Sequence, residues 1–293
     1  MIRIRSVFVF LALAAIATGC ENVVPATDLP YVNHIVIRGF LNADEPIDSI
    51  SVTHTLPLSV QYDPNQAAIP NAQVSITVDG RSIPLQSIGL GFFTDPLHDT
   101  VQSGKTYSID VQWNGLHAWA STLVPNPPAI PIFQFDNIGW DTEIYRYNSY
   151  YSDTFFSFGG TLEAGIEPVT AGEAYSLVYD SIADVDSNYS EASYYIGGDL
   201  YNLYPASEVN SAGFLPIFQF ESLDPRDSNY FVSAVVESYD GAYYNFIKTY
   251  NNFGNSGDIF GTGGANPQWN ISGDGIGIFI GTAETRRNST FHR

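Results

Sequence analysis

The sequence predicts an all-β protein: an immunoglobulin-like β-sandwich, followed by a second β-rich domain with one short helix. Three observations carry this expectation. Apolar residues recur with period two, most cleanly in Thr106–Trp113, where Tyr107, Ile109, Val111 and Trp113 share one side and Ser108, Asp110 and Gln112 the other. Asp79-Gly80 and Asn114-Gly115, strong hairpin signals, fall between such stretches. The first half offers no long amphipathic helix, and several short strands separated by turns read as an antiparallel sandwich.

The elements follow in order. Residues 1–19 read as an export signal. Arg3 and Arg5 precede an unbroken apolar run of eleven residues from Val7 to Ala17. Such a run is too short to span a bilayer as a helix, which takes about 20 residues, and suits the centre of a secretory signal. Ala17-Thr18-Gly19-Cys20 then places small residues before a cysteine, as a lipoprotein signal peptidase requires. Cys20 is the chain's only cysteine, so it reads as the acylated residue, carrying fatty chains such as palmitate that anchor the protein to a membrane. No internal disulfide is available, and a chain of this size can bury a core without one. Residues 20–32, with Pro25 and Pro30 and no periodicity, read as a tether.

Residues 33–125 form the expected sandwich. His34–Leu41 is rich in β-branched residues and ends at the turn Asn42-Ala43-Asp44. Asp48–Thr55 places Ile50, Val52 and His54 on one face, and Ala72–Val78 turns Val74, Ile76 and Val78 inward. Gly91-Phe92-Phe93 opens a short strand, and His117–Val124 returns after the Asn114-Gly115 turn. Four prolines within Pro125–Pro131 predict a stiff connector over 126–140.

Residues 141–285 form the expected second domain. Phe155–Leu162, Ala174–Asp180 and Tyr230–Glu237 read as strands. Tyr243, Phe246, Ile247 and Tyr250 have helical spacing, with Asp240 as cap. Asn251–Pro267 reads as a loop, Gly275–Gly281 as the last strand and 286–293 as a tail. The pentapeptide Pro-Ile-Phe-Gln-Phe occurs at Pro131–Phe135 and again at Pro216–Phe220. It marks either a duplicated sheet or a chance recurrence of aromatic strand sequence.

Charge narrows the partners. Without its signal the chain carries 9 basic and 31 acidic side chains, a formal net charge of −22. Acidity repels phosphate backbones, so nucleic acid is excluded. It also repels anionic headgroups, so the folded part is expected to stand off the membrane. The 38 Phe and Tyr residues exclude a disordered chain.

No motif demands an enzyme, and no cofactor is required. No two histidines have the i, i+4 spacing of a zinc helix, and no Gly-x-Ser-x-Gly elbow occurs. His54 and His117 sit in expected strands and read as hydrogen-bonded structural residues. Asp184, Asp186 and Asn188 supply oxygens at alternate positions, as the start of a calcium loop does. Tyr189 then stands where glycine is needed and Tyr195 where a closing acid is needed, with Glu191 as a substitute. A solvated acidic loop is the first reading, calcium the alternative. Tyr145, Tyr147, Tyr150 and Tyr151, with Tyr194, Tyr195, Tyr201 and Tyr204, lie among Asn and Asp residues. Exposed tyrosines of this kind stack on sugar rings, but tyrosine also fills half-buried sheet positions, and that reading comes first.

These features together resemble a Bacteroidota lipoprotein family known as domain of unknown function 4249. The resemblance rests on Cys20-Glu21, on Val36-Ile37-Arg38-Gly39-Phe40-Leu41, and on Pro46 through Thr55-Leu56-Pro57. It continues through Ile69–Ile76, Gly91-Phe92-Phe93, Ser103–Tyr107 and Ala120–Pro125. Asn270-Ile271-Ser272-Gly273-Asp274-Gly275-Ile276-Gly277-Ile278-Phe279 closes it and is its most specific part. The resemblance implies an outer-membrane lipoprotein, facing the periplasm or the cell surface. It also implies an accessory role beside a TonB-dependent transporter, and it supplies no catalytic residues. Asp48-Ser49-Ile50, Asp99-Thr100-Val101 and Asp180-Ser181-Ile182 resemble O-glycosylation tripeptides of that phylum. The expected function is a non-catalytic binding or accessory subunit taking a glycan or peptide. A surface glycan-binding protein is the alternative and a hydrolase the most distant reading.

Overall fold

The computed structural model describes residues 31–148, 151–184, 203–209, 214–222, 229–254 and 267–292. The chain is all-β. The first eight strands are β1 (Ile35–Asn42), β2 (Ile50–His54), β3 (Gln73–Val78), β4 (Arg81–Pro84), β5 (Gln86–Gly89), β6 (Phe92–Thr94), β7 (Thr106–Trp113) and β8 (Leu116–Leu123). They form two sheets, ordered β1-β2-β6-β5 and β8-β7-β3-β4. Lettered along the chain, with β4 as C′, these are A-B-E-D and G-F-C-C′, the immunoglobulin arrangement. A one-turn helix, α1 (Pro64–Ala67), joins β2 to β3. The Asp63 carboxylate caps it by accepting from Asn65 N at 2.9 Å, and Pro64 occupies the first turn.

The alternation seen in the sequence is the alternation of burial. Ile35, Ile37, Ile50, Val52, Val74, Ile76, Tyr107, Ile109 and Val111 enclose one core. Asp79 and Gly80 (φ 50° and 78°) and Asn114 and Gly115 (φ 47° and 80°) are left-handed pairs that turn tight hairpins. Tyr107 is fully buried at the start of β7, and its hydroxyl accepts from Gln102 N at 2.8 Å. That is a tyrosine corner.

A second sandwich follows. Its strands are β9 (Ala129–Asn148), β10 (Tyr151–Glu167), β11 (Glu173–Asp184), β12 (Leu203–Pro205), β13 (Phe214–Ser222), β14 (Asn229–Asp240) and β16 (Gly275–His292). Helix α2 (Gly241–Gly254) and the two-residue β15 (Ser272–Gly273) lie between the last two. The sheets are β13-β10-β9 and β12-β11-β14-β16. By the same lettering they are E-B-A and C′-C-F-G, so the second sandwich repeats the topology of the first without strand D. Ile130, Ala164, Ile166, Tyr175, Leu177, Ala234 and Val236 form its core. Tyr175 repeats the tyrosine corner, its hydroxyl accepting from Thr170 N at 2.8 Å.

One strand belongs to both sandwiches. Over Gly275–Thr282, β16 runs parallel to β1; over Thr282–His292 it runs antiparallel to β14. This merges one sheet of each sandwich into a single eight-stranded sheet. At about 3.3 Å per residue, its 18 residues reach roughly 60 Å. The sandwiches are therefore stacked end to end, and residues 31–34 enter at the outer end of the first.

Four expectations are corrected. The connector over 126–140 is strand from Ala129 onward. Pro131 is accommodated because β9 is an edge strand, where a missing N–H costs no ladder bond. Pro216 sits in β13, the opposite edge, so the two Pro-Ile-Phe-Gln-Phe segments flank β10, with Phe135 and Phe218 both opposite Leu162. The last strand does not stop at Gly281, and the tail 286–293 is strand as far as His292, because β14 supplies a partner. The helix extends past Asn251 to Gly254.

Candidate functional site

The Asn270–Phe279 segment forms the seam of the molecule. Between Gly275 and Gly281 one edge of β16 has β1, and the other, among the described residues, has no strand until β14 begins at Thr282. Side chains take the strand's place. Asn270 donates through Nδ2 to Phe279 O at 2.6 Å and accepts through Oδ1 from Phe279 N at 2.9 Å. Thr122 Oγ1 accepts from Gly281 N at 2.7 Å. Asp274 Oδ2 accepts from His117 N at 3.0 Å, tying the seam to β8. At Gly277 (φ 115°) an added Cβ would lie 2.0 Å from Ile37 O, so only glycine fits.

Asp240 joins the halves from the other side. Its Oδ1 accepts from Ala242 N at 2.9 Å, capping α2 as the sequence predicts. Its Oδ2 accepts from Thr122 Oγ1 at 2.8 Å and Leu123 N at 3.0 Å. An open groove of about 750 Å³ begins here, between the β10–β11 turn, the turn after β12 and the first turns of α2. Glu173, Glu208, Asp240, Tyr244, Asn245 and Lys248 give it polar walls. Tyr244 donates to Glu208 Oε1 at 3.2 Å, and Lys248 Nζ lies 5.4 Å from the Tyr244 ring centre. Burial pushes the Glu173 carboxyl above its ordinary value, against hydrogen bonds from Tyr175 and Thr170 that lower it. Burial likewise pushes the Tyr175 hydroxyl up to about 12. It raises Tyr239 as well, where the Glu237 charge adds to the effect. Such a groove can hydrogen-bond a hydroxyl-rich ligand.

A second open pocket of about 460 Å³ lies at the β7–β8 hairpin, where Asn71, Gln73, Gln112 and Asn114 surround Trp113 and His117. His117 Nε2 is 2.6 Å from Asp110 Oδ2, and its ring tilts against exposed Trp119. His54 is stacked on Trp113 and donates through Nε2 to Gln66 O at 2.9 Å. Both histidines are thus engaged, as expected of structural residues. Among the described residues no three His, Cys, Asp or Glu side chains gather as a metal site. No described helix is long and apolar enough to cross a membrane.

Of the residues singled out in the sequence, Tyr145 and Tyr147 lie on β9 and Tyr151 on β10, flanking one hairpin at the end farthest from residues 31–34. Asp184 ends β11 opposite Tyr230. Tyr204, on β12 opposite Tyr175, is half-buried against the second core, as the sheet-filling reading expects. Cys20, Tyr150, Asp186, Asn188, Glu191, Tyr194, Tyr195 and Tyr201 lie outside the described residues. Sequence reasoning missed the corner tyrosines and Glu173. The signal was present: Val101-Gln102-Ser103-Gly104-Lys105-Thr106-Tyr107 and Val169-Thr170-Ala171-Gly172-Glu173-Ala174-Tyr175 share Val, Gly and Tyr at the same spacing. Gly104 and Gly172 both have positive φ.

A family described as Domain of unknown function (DUF4249) matches residues 22–288. The chain belongs to this family. The DUF4249 match runs through both sandwiches and includes the whole seam from Asn270 to Phe279. No curated protein matches the chain.

Proposed function

We propose that this DUF4249 protein is a lipid-anchored, non-catalytic binding subunit of an outer membrane, accessory to a TonB-dependent transporter. The observation that carries the reading is the end-to-end stacking of two sandwiches on one strand, β16, with the chain entering at one end. Anchored through Cys20, such a body acts as a spacer, holding the β9–β10 hairpin and the junction groove away from the bilayer. The signal ending at Cys20 supports the anchor. Membrane fractionation tests it: Cys20→Ser is expected to release the protein, and a variant that still sediments with membranes overturns it. Co-purification from detergent-solubilised membranes tests the accessory role, which a tagged protein that always elutes alone overturns.

The polar groove at the α2 N-terminus favours a second reading, a surface glycan-binding protein. Carboxylates, an amide, a phenol and an ammonium line it at a size that fits a short oligosaccharide. A glycan array is expected to show hits that Asn245→Ala weakens. An array without hits removes this reading.

A further inference from the structure

The end of the first sandwich at which the chain enters carries few charges and exposes apolar loop tips beside the polar pocket of the β7–β8 hairpin. Residues 31–34 lie beside Thr55, because Thr55 N bonds to His34 O and the Tyr31 hydroxyl to Thr55 O. Three loops share that end. Residues 55–67 leave β2 there and return where Ala68 bridges Thr53. The β5–β6 hairpin reaches it, since Val52 N bonds to Gly91 O. The β7–β8 hairpin ends there too, with Trp113 stacked on His54.

Several large apolar side chains at the tips of the first two loops point to water. Leu58 is 76% exposed, Tyr62 69%, Ile88 59% and Leu90 55%, with Val60 and, in the entering segment, Val32 also exposed. In residues 31–34, 54–72, 85–92 and 112–118 the only Asp, Glu, Lys or Arg is Asp63, and the rim adds Asp110, paired with His117, and Asp274, bonded to Ile35 and His117. The opposite end of the same sandwich carries Asp44, Glu45, Asp48, Asp79, Asp99 and Lys105. The net charge of the chain therefore says little about this end. Most acids of this sandwich stand at the other end, one sandwich length away from the loop tips.

We infer that this charge-poor end is a membrane-docking face, whose loops Leu58–Tyr62 and Ile88–Leu90 dip into the headgroup region of the bilayer that holds the Cys20 lipid. The inference rests on the proposed anchor. Cys20 precedes Tyr31 by eleven residues, a reach of at most about 40 Å even when fully extended. The tether leaves the fold from this end, which is therefore the part of the first sandwich closest along the chain to the lipid. A weak apolar contact becomes intramolecular and is strengthened accordingly. The result is a body standing upright on its loops, with the second sandwich outermost.

The test supplies the tether independently of acylation. The mature chain from Glu21 carries an N-terminal hexahistidine in place of Cys20. It is held on vesicles of phosphatidylcholine and phosphatidylglycerol doped with nickel-chelating lipid. An environment-sensitive dye is placed at Leu58→Cys, at Leu90→Cys or, as reference, at Leu97→Cys, an exposed site at the opposite end. Nitroxide-labelled lipid is expected to quench the first two dyes about twofold or more over the third. Leu58→Ser is expected to reduce the quenching at Leu90→Cys. Equal quenching at all three positions overturns the inference, as does dye response to protein concentration without vesicles, which would make this end a contact between copies. Loss of the anchor appears only in the Cys20→Ser fractionation, so the two failures are separable.

Discussion

At the scale of the residue, the two corner tyrosines do the same work with different neighbours. The Tyr107 hydroxyl satisfies Gln102 N beside a glycine at φ 71°. Its removal leaves a backbone donor without its partner, so Tyr107→Phe is expected to lower unfolding free energy by about 1–2 kcal/mol. Chemical denaturation measures this; an unchanged midpoint would refute the corner's role. Tyr175 has a second duty, donating to Glu173 Oε2 at 2.7 Å. Glu173 is buried, and burial raises its folded pKa above the ordinary 4.5. A raised carboxyl adds stability fully below its unfolded pKa and loses that contribution as pH rises through the folded value. Acidification from neutrality toward 4.5 should therefore favour the fold through this group. Glu173→Gln is expected to raise stability near neutral pH and flatten this part of the profile, read from thermal melts across pH. A steeper slope in the variant would contradict the assignment. Neither tyrosine was marked by the strand pattern, which treats Tyr107 as one more inward residue. A hydroxyl aimed at a backbone five positions upstream leaves no trace in periodicity.

At the scale of the element, strands with one wet face were legible and strands with a polar sequence were not. Thr106–Trp113 alternates because one face meets the core and the other meets water. The distal part of β16 contains Arg286, Arg287 and Asn288, and residues 286–293 read as a tail. It is a strand because β14 pairs with it along its whole length, a cause that lies about fifty residues away in sequence. The helix was found from its aromatic spacing, but Asn251 and Asn252, weak helix formers, made its last turn read as loop. The seam shows what a motif can mean when no chemistry attaches to it. Asn270 imitates a neighbouring strand by engaging both backbone groups of Phe279. Asn270→Ala is expected to cost on the order of 2–4 kcal/mol, since it strands a buried donor and a buried acceptor together. Faster amide exchange at Phe279, resolved by mass spectrometry, is the signature; unaltered protection there would show that another group supplies the bonds.

At the scale of the whole molecule, the sequence divides where the structure does not. Prolines near residue 128 and a change of pattern suggest two bodies in series, and topology bears out two sandwiches. Their cores, however, share one strand. Phe279 is buried in the first core, and Ala283, four residues on, is buried where β16 pairs with β14. Asp240 and Thr122 bond across the same junction. Unfolding the second sandwich alone would have to hold Gly275–Thr282 in place while releasing Ala283–His292. It would also break the Asp240 contacts with β8. Unfolding the first alone would strip β16 of β1 and expose Phe279 and Ile280, each contributing about 1.5–3 kcal/mol of burial. Either route opens surface in the partner, so a single calorimetric transition is expected, with van't Hoff and calorimetric enthalpies in agreement. The fragment ending at Pro128 lacks β16, leaving the β1 edge and the first core open, and is expected to melt without a cooperative transition. Two resolved transitions in the full chain, or a cooperatively folded fragment, would mean that β16 is an addition to the first sandwich and not part of its foundation.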